Sequence, residues 1–179
     1  VSALLYGFGF ERLGVVVGDL YFQDPSPAPG QEGAERGVRL ELRMLERGQL
    51  RGSIYSAQPI AVGRPIWRVD LLESVSGPPA SFDRTHHHPR FTDWEPGSRH
   101  FVPELSKDPL SWLAGRLTDV ESVLDEAGVD HDEVGADDVA QIRAAAPEIM
   151  AAVRRLLDGV HRGELAQPPD DSATPAARV

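Results

Sequence analysis

The hydrophobic period of this chain changes once, near residues 82–100. Before that stretch apolar residues recur at every second position, and after it at every third or fourth. Strands must therefore occupy the first half and helices the second, which excludes all-β and all-α folds. In the first half, Val38, Leu40, Leu42 and Met44 alternate with Arg39, Glu41 and Arg43, the pattern of a half-buried antiparallel strand with one charged face. Ile66 to Val75 repeats it, setting Trp67, Val69 and Leu71 against Arg68 and Asp70. Leu13 to Phe22, with its β-branched run Val15, Val16 and Val17, reads as another strand. The aromatic and glycine-rich residues 1–12 read as an edge strand or packed arm, and Leu50 to Ala57 as the return strand after Arg47-Gly48. Short connections favour a meander of antiparallel neighbours. Residues 24–37, with three prolines and three glycines, read as an exposed loop.

In the second half, Asp108-Pro109 has the form of an N-cap followed by proline in the first helical position. Leu110, Leu113, Leu117, Val120, Leu124 and Ala127 follow at helical spacing, and Gly128 closes the segment. This amphipathic helix should cover the apolar face of the sheet and leave the Arg39, Arg43 and Arg68 face open. A second helical region, Asp137 to Val160, carries the stripe Ile142, Ile149, Val153, Leu156 and Val160 and should divide or kink at Pro147. The expected fold is therefore α+β: an antiparallel meander of about five strands, packed on one face by an amphipathic helix and followed by a helical C-terminal extension. The expected divisions are an α+β domain at 1–128, an acidic loop and helical extension at 129–163, and a disordered tail at 164–179.

Composition narrows the chemistry. The chain has no cysteine, which excludes thiol nucleophiles, iron–sulfur clusters and cysteine-ligated zinc. Its net charge of −10 is uneven: residues 1–118 carry 13 basic and 14 acidic side chains, residues 119–179 carry 5 and 14. The arginine-rich first half thus escapes the objection that an acidic protein makes a poor nucleic-acid binder. No apolar run is long enough to span a bilayer, and the first residues lack a signal-peptide pattern. The expectation is a cytoplasmic protein without a membrane partner, and arginine in place of lysine at all but one of 18 basic positions suggests a GC-rich bacterial genome.

Four of the six histidines lie at His86, His87, His88 and His100. In an extended segment His86 and His88 point to one side and His87 to the other. The pair His86 and His88 suits zinc or another divalent transition metal, with a third ligand from His100, Asp83 or Glu95. The same stretch suits acid–base catalysis, with His87 or His88 as the proton carrier, Arg68 or Arg84 steadying negative charge, and Asp83 or Asp70 orienting the ring. It also suits a purely structural role, with the histidines pairing to Asp83 and Asp93 and pinning a surface loop. If the stretch pairs beside Ile66 to Val75, its imidazoles meet Arg68 and Asp70. Otherwise the charged face is a cross-strand ion-pair lattice. Asp130, Asp132, Gly135 and Asp138 match four calcium-loop positions, but Val134 and Gln141 stand where oxygen ligands are required, so calcium is excluded there.

The run Phe82-Asp83-Arg84-Thr85-His86-His87-His88-Pro89, placed after an Ile-Trp-Arg strand, resembles the Trp-Asp-x-x-x-His-His-Pro segment of small TumE-like toxin proteins of bacterial toxin–antitoxin pairs. The resemblance spans roughly residues 38–127 and carries over Asp83, His87, His88 and Pro89. The chain otherwise resembles actinobacterial proteins with no assigned mechanism. Two functions follow as expectations: a small hydrolase or ribonuclease-like domain with RNA as its partner, or a non-catalytic module whose C-terminal helices dock a protein partner or a second copy.

Overall fold

The computed structural model describes residues 4–169. Five strands form one sheet in chain order: β1 (Leu5–Gly9), β2 (Leu13–Gln23), β3 (Ala34–Arg47), β4 (Ile60–Ser74) and β5 (His86–His88). Every neighbouring pair is antiparallel, so the sheet is the expected meander. A two-stranded hairpin, β6 (Phe91–Thr92) and β7 (Glu95–Pro96), follows. Then come α1 (Pro103–Lys107), α2 (Pro109–Thr118), α3 (Val120–Ala127) and α4 (Asp138–His161).

Period-two alternation sets the two faces. Val17, Leu40 and Val69 stand in one cross-strand row and Val15, Leu42 and Trp67 in the next. These residues are buried in one hydrophobic core with Leu113, Leu117 and Leu124 of α2 and α3 and Ile142, Ile149, Val153, Leu156 and Val160 of α4. The stripe expected on a C-terminal extension thus belongs to the core beneath the sheet. Asp138, at the start of α4, is buried and accepts the backbone N–H of Glu11 and of Arg12 in the β1–β2 turn and of Gly135. This carboxylate, one of the calcium-like positions of the sequence, fastens α4 to the sheet.

Several boundaries differ from expectation for identifiable reasons. Residues 50–57 form no strand: Ile54 and Tyr55 are exposed, and Ser53 and Ser56 close a local turn. The partner of β3 begins instead at Ile60, opposite Arg47. β4 continues through Gly63-Arg64-Pro65 because register shifts opposite Arg43 to Leu45 absorb the proline, which has no N–H for the ladder. The helix expected over 108–128 is present as α2 and α3, broken at Asp119, whose backbone leaves the helical region. Its ends fall as read: Asp108 accepts the N–H of Ser111, and Gly128 adopts the left-handed conformation. α4 runs as one helix through Pro147. The expected disordered tail lies outside the described residues from 170 onward. Within its described part, Ala166 is buried and donates its N–H to Asp19 at 2.8 Å. No described helix is long and apolar enough to cross a membrane.

A histidine and carboxylate cluster as the candidate functional site

β5 is only three residues long, yet its pairing decides where the histidines go. Arg68 faces His88, Val69 faces His87 and Asp70 faces His86. Cross-strand partners share a face, so two rows cross the sheet on the side away from the helices. One runs Gly18, Arg39, Asp70, His86, and the other Val16, Glu41, Arg68, His88. His87 falls in the apolar row of Val17, Leu40 and Val69, facing the core.

On the polar side the rings of His86 and His88 meet edge to face, with centroids 5.0 Å apart. His86 Nδ1 lies 2.8 Å from the carbonyl oxygen of Arg84, and His88 Nδ1 lies 2.7 Å from that of Gly97. A carbonyl oxygen only accepts, so Nδ1 carries the proton in both rings and Nε2 points inward. The two Nε2 atoms lie 3.4 and 3.8 Å from Asp70 Oδ2. Arg39 grips the same carboxylate, Nε donating to Oδ1 at 2.7 Å and Nη2 to Oδ2 at 3.0 Å. Beside it, Glu41 pairs with Arg68 at 3.3 Å and with Arg43 at 3.6 Å. Aromatic rings close the cluster: Phe101 packs on His86, and Phe91 lies near His88 and under the Arg68 guanidinium. Asp70 and His86 are 1% exposed and His88 is 6% exposed, so the centre is almost dry.

Low dielectric magnifies each charge. Burial alone would raise the Asp70 pKa, but the facing His86 ring and the Arg39 guanidinium outweigh it and hold the carboxyl well below the usual range, fully ionised. Burial pushes His88 down to about 4, against the opposing pull of its bond to Gly97 and of Asp70, so it is neutral at pH 7. Burial likewise depresses Arg68, with the neighbouring Arg39 adding to it.

The other residues singled out by sequence lie elsewhere. His87 packs against the stacked pair Trp67 and Trp112, with ring centroids 6.2 and 5.1 Å away, and burial lowers its pKa to about 4. His100 bridges to His87 through both backbone bonds, and its ring lies 5.6 Å from that of His87, on the core side rather than with His86 and His88. Asp83 turns back to the N–H and hydroxyl of Ser74 and the hydroxyl of Ser81. Arg84 donates to the carbonyls of Gly30 and Glu32, pinning the 24–33 loop. The structure therefore joins Arg68, Asp70, His86 and His88 and leaves His87, His100, Asp83 and Arg84 outside the cluster. Arg39 and Glu41, read from the sequence only as members of a charged face, are its immediate partners. Their register opposite Asp70 and Arg68 was the signal.

The cluster adjoins open space. A groove of about 250 Å³ adjoins the cluster, with Arg39, Arg43, Glu41 and Asp19 among its lining residues and Leu5, Val16 and Leu20 as its apolar part. Arg39, its side chain 30% exposed, reaches from this groove to Asp70. Trp94, 58% exposed, stacks on Arg43 at the end of the β6–β7 hairpin.

Fold and site together define an α+β protein with a five-stranded antiparallel meander and a two-histidine, one-carboxylate cluster on the face away from its helices. The chain matches no family model, no curated protein and no solved structure.

Proposed function

We propose that the protein is a small hydrolase acting on an anionic ester, of the RNA phosphodiester class, at the sheet face where Arg68, Asp70, His86 and His88 meet. The observation that supports this most is the convergence itself. Two imidazoles with fixed inward Nε2 atoms share a dry centre with an ionised carboxylate, and three guanidiniums stand against two carboxylates around it. The surplus positive charge favours an anion, and preorganised cations in a low-dielectric site are the feature that stabilises charge developing during phosphoryl or acyl transfer. The substrate lies in the groove, where Arg43 and Arg39 bind it and Arg39 couples the groove to the centre.

Cleavage of a short fluorogenic RNA by the full chain tests this reading. Asp70→Asn is expected to lower kcat/KM by about 100-fold or more. Arg43→Ala is expected to raise KM with little change in kcat, as loss of binding shared by ground and transition states requires. A wild-type chain that leaves RNA intact, or an Asp70→Asn chain that cleaves at the full rate, overturns the proposal.

The alternative of a docking module built on the C-terminal helices meets one structural fact. The Ile142 to Val160 stripe is already covered by this chain's own sheet, so a partner would have to use the opposite side of α4.

A further inference from the structure

We infer that Asp70, His86 and His88 bind one divalent transition-metal ion through Asp70 Oδ2, His86 Nε2 and His88 Nε2. The inference rests on the same cluster as the proposed hydrolase, but not on its reaction.

Both Nδ1 atoms carry their proton because each faces a backbone carbonyl. With Nδ1 protonated, the neutral form of an imidazole carries its lone pair on Nε2, and in both rings that atom faces Asp70 Oδ2, itself an acceptor. Three electron-rich atoms facing one another in a buried space call for a cation between them. Arg39 donates to both oxygens of Asp70, Nη2 to Oδ2 itself at 3.0 Å, and a carboxylate oxygen keeps a second lone pair for a cation. His86 Nε2 is buried and has no hydrogen-bond partner among the described residues.

Distance separates a proton from a metal as the missing cation. A charge-assisted bond between an imidazolium and a carboxylate spans about 2.7–2.9 Å. The observed 3.4 and 3.8 Å are too long for that. Ligands bound tetrahedrally to zinc at roughly 2.0–2.1 Å lie about 3.3–3.4 Å from one another, simply from the geometry of the tetrahedron. The 3.4 Å edge matches, and the 3.8 Å edge is somewhat longer than the tetrahedral value. All three candidate ligand atoms lie within 4.8 Å of one another.

Chemistry selects the ion class. Two imidazoles and one carboxylate suit zinc, iron, nickel or copper, whereas calcium and magnesium prefer oxygen ligands throughout. The surroundings have the form of a metal site's outer shell: each ring donates its second nitrogen to a carbonyl, and the carboxylate is held by a guanidinium. Arg68 and Arg43, partly offset by Glu41, add positive charge beside the ion. The remaining coordination position therefore favours an anion, hydroxide or an ester oxygen, over a neutral ligand.

Zinc alone is the probe. Equilibrium dialysis of the chelator-stripped full chain, with bound metal measured by mass spectrometry, is expected to give one equivalent per chain. Asp70→Asn, His86→Gln and His88→Gln, which preserve side-chain bulk, are each expected to weaken binding by more than about 100-fold. His100→Gln is expected to leave it unchanged. A thermal melt confirms that each variant is folded, and any one of the three ligand variants that melts cooperatively suffices for the comparison. Absence of bound zinc in the wild-type chain, retention of a full equivalent by the folded ligand variants, or its loss in His100→Gln overturns the inference. Zinc bound without RNA cleavage sinks the hydrolase and leaves the metal site standing. Cleavage by a chain that binds no zinc does the reverse.

Discussion

Truncation after Gly135 is expected to abolish cooperative folding. The lost segment contains Ile142, Ile149, Val153, Leu156 and Val160, each at most 1% exposed and packed in the core beneath the sheet. Burying such a side chain stabilises by about 1.5–3 kcal/mol, so five of them match or exceed the roughly 5–15 kcal/mol that holds a typical domain folded. The cut also removes Asp138, leaving the N–H groups of Glu11, Arg12 and Gly135 without their acceptor. The truncated chain should show a broad, featureless thermal transition by circular dichroism and expose the apolar rows of β2, β3 and β4. A sharp melt near the full-length temperature would mean that α4 is a dispensable appendage.

The second large effect divides two adjacent histidines. His87→Ala is expected to cost about 2–4 kcal/mol of stability, because it empties a site beside Trp67 and Trp112 where the residue is only 3% exposed. RNA cleavage per folded molecule should barely change, since His87 faces the core. His88→Gln should do the opposite, lowering kcat/KM by about 100-fold or more with a modest shift in melting temperature. Its ring occupies the opposite face, with Nε2 aimed at Asp70. Denaturant unfolding and steady-state kinetics on the two variants read these quantities independently. Equal losses of activity at constant stability would contradict the division of β5 into a core side and a reactive side.

That division was legible in the sequence because strand alternation is a local rule. It puts His86 and His88 together and His87 apart whatever the rest of the chain does. The charged residues of β3 and β4 were legible in the same way, and pairing of the histidine stretch beside β4 was enough to bring Arg68 and Asp70 to the imidazoles. What escaped depends on how the chain returns after Pro89. Asp93 takes a positive φ of 53° in the β6–β7 hairpin, and the strand that comes back lays His100 against His87. No hydrophobic period records such a turn, so His100 looked like a third ligand by count alone. Asp83 and Arg84 sit next to the histidines in sequence, but Phe82, at a φ of 49°, turns the chain just before them. Their side chains then fasten neighbouring loops. Leu50 to Ala57 carried apolar residues without a partner strand to pair them, and the register opposite Arg47 went to Ile60 instead.

The proposed metal centre places one cation between His86, His88 and Asp70. Proton–nitrogen correlation spectra of the imidazole rings, followed through a zinc titration at neutral pH, test it most directly. The expected result is that the Nε2 resonances of His86 and His88 move together and stop at one equivalent, with Nδ1 of both rings remaining protonated and the signals of His87 and His100 unmoved. Movement of His100 in place of His86, or no response from His86 and His88 at all, would contradict it.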